Sequence, residues 1–150
     1  MKQNEILLGF LQKNLTIMQK LYEELIGLDI NLYDKRYVFS LKTQQLYSSI
    51  EALLKQIAKS FENPIDDLSQ YPKEILIRMN TEIPQVRPKV LSDTSYLFLD
   101  KLRSFRHFIR HAYDCELDPE DLKKIQGRLR QGFSRLVDDI KHFETFVKRL

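Results

Sequence analysis

Apolar residues recur at steps of three and four along most of this chain. The first series is Ile6, Leu7, Phe10, Leu11, Ile17, Met18, Leu21, Tyr22, Leu25 and Leu28, which predicts an amphipathic helix over about 4–28. After a connection at Asn31–Asp34, Val38, Phe39, Leu46, Ile50, Leu53, Leu54, Ile57 and Phe61 predict a second helix over about 35–62. Its small residues Ser48, Ser49, Ala52 and Ala58 permit close approach of a neighbour. Asn63-Pro64 closes it, because the residue before a proline is driven out of the helical region.

Residues 64–91 are the least regular. Pro72 suits the first position of a short helix over Lys73–Asn80, and Pro84 and Pro88 then impose an extended connection. Ser92 and Asp93 are both good caps for a third long helix over 92–114, carrying Leu97, Phe98, Leu102, Phe105, Ile109 and Ala112. Asp118-Pro119-Glu120-Asp121 is a strong start signal for the last helix, a capping aspartate followed by proline and acids in the first turn. Its stripe, Leu122, Ile125, Leu129, Phe133, Leu136, Val137, Ile140, Phe143, Val147 and Leu150, continues the helix through about 148.

Four long amphipathic helices and a short one predict an all-α, up-and-down helical bundle, read as a single domain over 1–150. The prolines between helices argue against an extended coiled coil. Composition agrees: 43% hydrophobic and 30% charged residues, four glycines and five prolines favour a globular, helical chain. The net charge of +3 permits nucleic-acid binding but argues for it only where cations cluster. The one cysteine, Cys115, excludes an intrachain disulfide and points to the cytoplasm. No apolar run approaches the roughly 20 residues needed to span a membrane, and no secretory leader is expected from the polar pattern that follows Ile6-Leu7-Leu8.

Cations do cluster at Arg106-His107-Phe108-Ile109-Arg110-His111-Ala112-Tyr113, which holds two of the chain's three histidines. On a helical wheel Phe105, Phe108, Ile109 and Ala112 form an apolar face. Arg103, Arg106, His107, Arg110 and His111 fall on the side away from it, with Tyr113 roughly 20° from Arg106 and about two turns further on. An arginine grips phosphate bidentately and stays charged, and a histidine moves protons near neutral pH. Together they suffice for attack of a ribose 2′-OH on the adjacent phosphate. Positions five apart are about 140° apart on a straight helix, so Arg106 and His111 need either a local distortion or a second copy of the chain to act together. The pairs Asp66-Asp67 and Asp138-Asp139 do not make a metal site, since helix neighbours do not face each other, and no cofactor motif is present.

The octet has the form R-x4-H-x-Y. With the following Asp114-Cys115-Glu116-Leu117-Asp118, and with Tyr47-Ser48-Ser49-Ile50-Glu51 and Arg87-Pro88-Lys89-Val90-Leu91 earlier, the chain resembles the HEPN superfamily, most of all its HepT branch. That branch supplies the toxin of a two-gene toxin–antitoxin pair. The resemblance implies a homodimer whose cleft holds paired motifs, and a metal-independent endoribonuclease acting on RNA. Arg106 and His111 would be catalytic, and Arg103, His107 and Arg110 would contact RNA phosphates. It further implies a minimal nucleotidyltransferase partner that silences the toxin by adding AMP to Tyr113.

Plainer readings stand beside these. Spacing alone allows a solvated basic face for Arg106 and His111, surface decoration for Arg103, His107 and Arg110, and an edge tyrosine for Tyr113. Cys115 reads as structural and His142 as solvated, and the phenylalanine stripes read as core. The rival function is a non-catalytic helical subunit that binds a nucleotide or substrate for a two-component nucleotidyltransferase.

Overall fold

The structure, a computed structural model, describes residues 2–62, 72–111 and 117–150, with Arg110 and His111 described by their helical backbone alone. Asp66-Asp67, Ala112, Tyr113, Asp114 and Cys115 lie outside the described residues, as do the side chains of Arg110 and His111. Among the described residues there are five helices and no strand. They are α1 (Lys2–Ile26), α2 (Tyr33–Phe61), α3 (Pro72–Met79), α4 (Asp93–His111) and α5 (Pro119–Lys148).

The four long helices form a ring in which each is antiparallel to its neighbours. Ion pairing of Glu24 with Lys42, and the Ser49 hydroxyl donating to Asn14, set α2 against α1. Tyr22 stacks on Phe133, and the Gln126 amide donates to the carbonyls of Leu25 and Leu28, which sets α5 against the other side of α1. Phe98 lies over Gly132, where a Cβ would come within 2.5 Å of its ring, so α4 sits tight against α5. α4 also packs on α2, and the short α3 braces that pair. The core between them is almost wholly aliphatic and aromatic, with Leu11, Met18, Leu25, Phe39, Leu46, Leu53, Leu99, Leu129 and Ile140 fully enclosed.

The helix starts follow the sequence closely. Ser92 caps α4, its hydroxyl accepting the Ser95 N–H at 3.3 Å. It is tied to α5 as well, because its N–H and O–H both donate to the buried Asp139 carboxylate at 2.9 and 2.7 Å. Asp118 caps α5, accepting from Glu120 N–H at 2.9 Å with Pro119 at the first helical position. The connection into α4 is pinned by Arg87, whose buried guanidinium meets the Glu62 carboxylate at the end of α2.

The expected apolar stripes need correction at their edges. Ile6, Ile17, Leu97 and Phe108 are exposed, not core. On α4 the buried arc runs through Phe105, Phe98, Ile109, Leu102, Ser95 and Leu99. Its centre lies roughly 70° round the helix from the face drawn through Phe105, Phe108, Ile109 and Ala112. Leu99, left out of that face, sets the true direction. The rotation turns Phe108 outward and carries Arg106 inward.

Candidate functional site

Arg106 is therefore not a solvated cation on the far side of α4. Its side chain is only 11% exposed. It sits against α2, where the period of the helix places Tyr47 and Glu51 one turn apart on the flank that α4 covers. The guanidinium carbon stands 4.5 Å from the centre of the Tyr47 ring, a cation–π contact. One terminal nitrogen reaches the Glu51 carboxylate at 3.4 Å. Glu51 is itself largely enclosed and is shared with Lys55, one turn along α2, at 3.4 Å.

This is an arginine fixed in place but lightly used. A guanidinium has five N–H donors, and the described contacts of Arg106 employ one of them, at the long end of hydrogen-bond range. The ring beneath restrains the plane without taking a donor.

Tyr47 has its own peculiarity. It is buried, and among the described residues its hydroxyl finds no hydrogen-bond partner. Burial holds its phenol above the ordinary value of 10.0; Glu51 and Asp100 reinforce this, while Arg106 and Arg103 oppose it. The tyrosine is thus kept neutral beneath the cation.

The other expected residues are placed less favourably. Arg103 lies one turn before Arg106 but is taken up by Asp100, which accepts from its Nε and a terminal nitrogen at 3.1 and 2.9 Å. Asp100 also meets Lys73 of α3 at 3.8 Å. His107 is exposed on the outer side of α4. The side chains of Arg110 and His111, and all of Tyr113, lie outside the described residues. So Arg106 and Arg103 are brought together beside α2, each facing a carboxylate, while the Arg106–His111 geometry is not described. Asp139, from the second acidic pair, is a structural anchor for Ser92 and Arg135. Among the described residues no group of three or more His, Cys, Asp or Glu side chains is arranged to hold a metal ion, and no helix is long and apolar enough to cross a membrane.

Tyr47, Glu51 and Asp100 had no assigned role from sequence. Tyr47 and Glu51 were nonetheless visible as an aromatic–acid pair four apart within the stretch that carried the resemblance. Such a pair on one helix face is a ready seat for an arginine from a neighbouring helix.

A family model for HepT-like proteins matches residues 39–147. That span takes in Tyr47, Glu51, the Arg87 connection and the whole octet. Comparison with curated proteins, and with solved structures, returns no match.

Proposed function

Since the chain belongs to the HepT-like family, we propose that it is a metal-independent endoribonuclease toxin working as a homodimer, with Arg106 and His111 as its catalytic pair. His111 serves as general base or acid toward the ribose 2′-OH. Arg106 stabilises the charge that develops on the phosphate oxygens. Two copies facing one cleft supply two histidines, one for each proton transfer. A minimal nucleotidyltransferase silences the enzyme by placing AMP on Tyr113, in the cytoplasm of its host.

The observation that supports this reading is the seat of Arg106. A surface decoration has no need of a ring below and a carboxylate beside it. An electrophilic catalyst does, because pre-orientation removes the reorganisation that a mobile arginine would undergo at each turnover. Glu51 and Tyr47 are positioning residues in this scheme.

The test is expression without the partner, wild type against His111→Ala and Arg106→Ala, with total RNA examined. Wild type cuts RNA, also in chelator, and both variants lose nearly all cutting. A 2′-deoxy substitution at the cut site blocks it. Incubation with the nucleotidyltransferase and ATP adds mass in steps of one AMP, and Tyr113→Phe abolishes the shift. Intact RNA with all three proteins, alongside saturable nucleotide binding, would instead identify the non-catalytic subunit.

A further inference from the structure

The outward turn of Phe108 opens a groove along the seam of α4 and α5, on the opposite side of α4 from Arg106. Two adjoining cavities of about 320 and 180 Å³ lie along it, with Lys101 and Arg128 lining both. Leu97, Lys101, Ser104 and Phe108 form one wall, spaced four, three and four apart, so they share a face of α4. Asp121, Lys124 and Arg128 of α5 form the other wall, so one carboxylate stands beside the cations at its end. The floor is low because Gly132 leaves no side chain beneath Phe98.

Three properties of this groove point the same way. Its cations are uncommitted: among the described residues none of Lys101, Lys124 and Arg128 has an ion pair, whereas Arg103, Arg106 and Arg87 all do. Phe108 stands 48% exposed, with its ring at the end of the groove nearest the octet. And the groove runs toward the C-terminal end of α4, where residues 106–111 belong to the octet.

We propose that the α4–α5 groove binds single-stranded RNA, with phosphates on Lys101, Lys124 and Arg128 and a base stacked on Phe108. This rests on the ribonuclease reading for its biological sense, but not for its test. Cations that track a backbone, interleaved with an exposed aromatic face, are the two requirements of single-strand binding. A duplex keeps its bases stacked internally and gains nothing from Phe108. The groove runs toward the octet end of α4, and it sets which flanking nucleotides the chain holds. An acidic amphipathic helix of a protein partner is the competing occupant. Such a helix would seat apolar side chains on Leu97 and Phe108 and pair carboxylates with the cations, so RNA binding that persists while that partner is lost is the outcome in its favour.

The probe is a fluorescent 2′-O-methylated RNA single strand of about 12 nucleotides, which binds without being cut, compared with a duplex of the same sequence. Binding to the full chain is followed by anisotropy across a salt series. Replacing Lys101, Lys124 and Arg128 together by Ala flattens the logarithmic salt slope by roughly two, since each single-strand phosphate contact contributes about 0.7. Phe108→Ala weakens the single strand roughly tenfold and leaves the duplex unchanged, while Phe108→Trp restores binding. All four side chains are exposed, so far-ultraviolet circular dichroism should confirm that the variants fold.

Unchanged affinity and slope in the triple variant overturn the groove, whether or not the wild type cuts RNA. So does unchanged RNA binding combined with loss of an acidic protein partner. A chain that binds RNA through these residues yet cuts nothing upholds the groove and refutes the nuclease. A chain that binds no single strand at all refutes the groove, and the nuclease is then judged separately by cleavage of unmodified RNA.

Discussion

Among the arginine–glutamate pairs that tie α2 to the rest of the molecule, those of Arg87 and Arg106 differ in how fully the guanidinium is used. Arg87 is saturated. Its Nε donates to Glu62 at 2.9 Å, its terminal nitrogens to the carbonyls of Thr81, Pro88 and Arg78 at 2.9, 3.1 and 3.0 Å, and it pairs with the Glu62 carboxylate a second time. Its side chain is 1% exposed. Arg106 has one long contact and a ring face. A buried cation with every donor satisfied is a fastening. A largely buried cation that uses one donor among the described residues is held by its ring and its carboxylate instead.

Breaking the fastening should have the largest effect. Arg87→Ala leaves the Glu62 carboxylate buried beside Arg78 alone, and strands the carbonyls of Thr81 and Pro88. Removing one partner of a buried pair typically costs about 3–5 kcal/mol. Denaturant unfolding should show a loss of that order, and Arg87→Lys should recover little, since an ammonium cannot reproduce the fork. A loss below about 1 kcal/mol would place Arg87 among ordinary surface pairs and erase the contrast.

Arg106 should reverse the pattern, with function hit harder than stability. Removing one pre-organised donor to a developing anion typically costs about 10²–10³ in rate. Arg106→Lys is the sharper probe, because it keeps the charge beside Glu51 while losing the planar fork. RNA cleavage by Arg106→Lys should fall at least tenfold with an unfolding midpoint close to wild type. Arg106→Ala itself should carry a stability cost, contrary to what a solvated position would give, since it removes a ring contact and leaves Glu51 with Lys55 only. Cleavage within twofold of wild type in either variant would contradict the assigned role.

These two pairs also show what the sequence could and could not convey. The helix boundaries were legible because caps and prolines are local signals: Ser92, Asp118-Pro119 and Pro72 each act within a turn. The all-helical ring followed from stripe count and loop length. The orientation of α4 was not legible in the same way. Its apolar residues span a wide arc, and a wheel drawn through Phe108 and Ala112 but not Leu99 points the wrong side inward. Position on the wheel also says nothing about which neighbour covers the flank, so the seat made by Tyr47 and Glu51, some 55 residues earlier in the chain, stayed hidden. Arg87 was noted only within the stretch 87–91 that carries part of the resemblance; its partner lies 25 residues away, and no periodicity links the two. The octet itself was plain, but the side chain of His111 lies outside the described residues.

Glu51→Gln should give a moderate effect that separates positioning from packing. The amide keeps the shape and can still accept from Arg106, so stability should change little. The guanidinium loses its counter-charge and should turn more readily toward phosphate. Cleavage should show a lower KM together with a lower kcat, because a looser arginine binds the ground state as well as the transition state. Proportional loss of activity and stability would indicate that Glu51 merely packs.

The smallest effect concerns the hydroxyl beneath Arg106. Tyr47→Phe retains the ring that carries the cation and removes a buried polar atom that has no partner among the described residues. Deleting an unsatisfied buried hydroxyl is close to neutral or mildly stabilising, within about 1 kcal/mol. The distinguishing signature is at alkaline pH. The folded phenol is held above its ordinary 10.0, chiefly by burial, so the unfolded chain releases this proton first as pH rises. Stability from the neutral tyrosine is complete below pH 10 and declines once the unfolded phenol ionises, by about 1.36 kcal/mol for each pH unit until the folded group also titrates. Subtracting the Tyr47→Phe unfolding free energy from that of wild type should give a flat line up to about pH 10 and a fall beyond it. A flat difference through pH 11 would mean that the Tyr47 hydroxyl reaches water, and that Arg106 rests on a wetter, less rigid seat than Arg87 does.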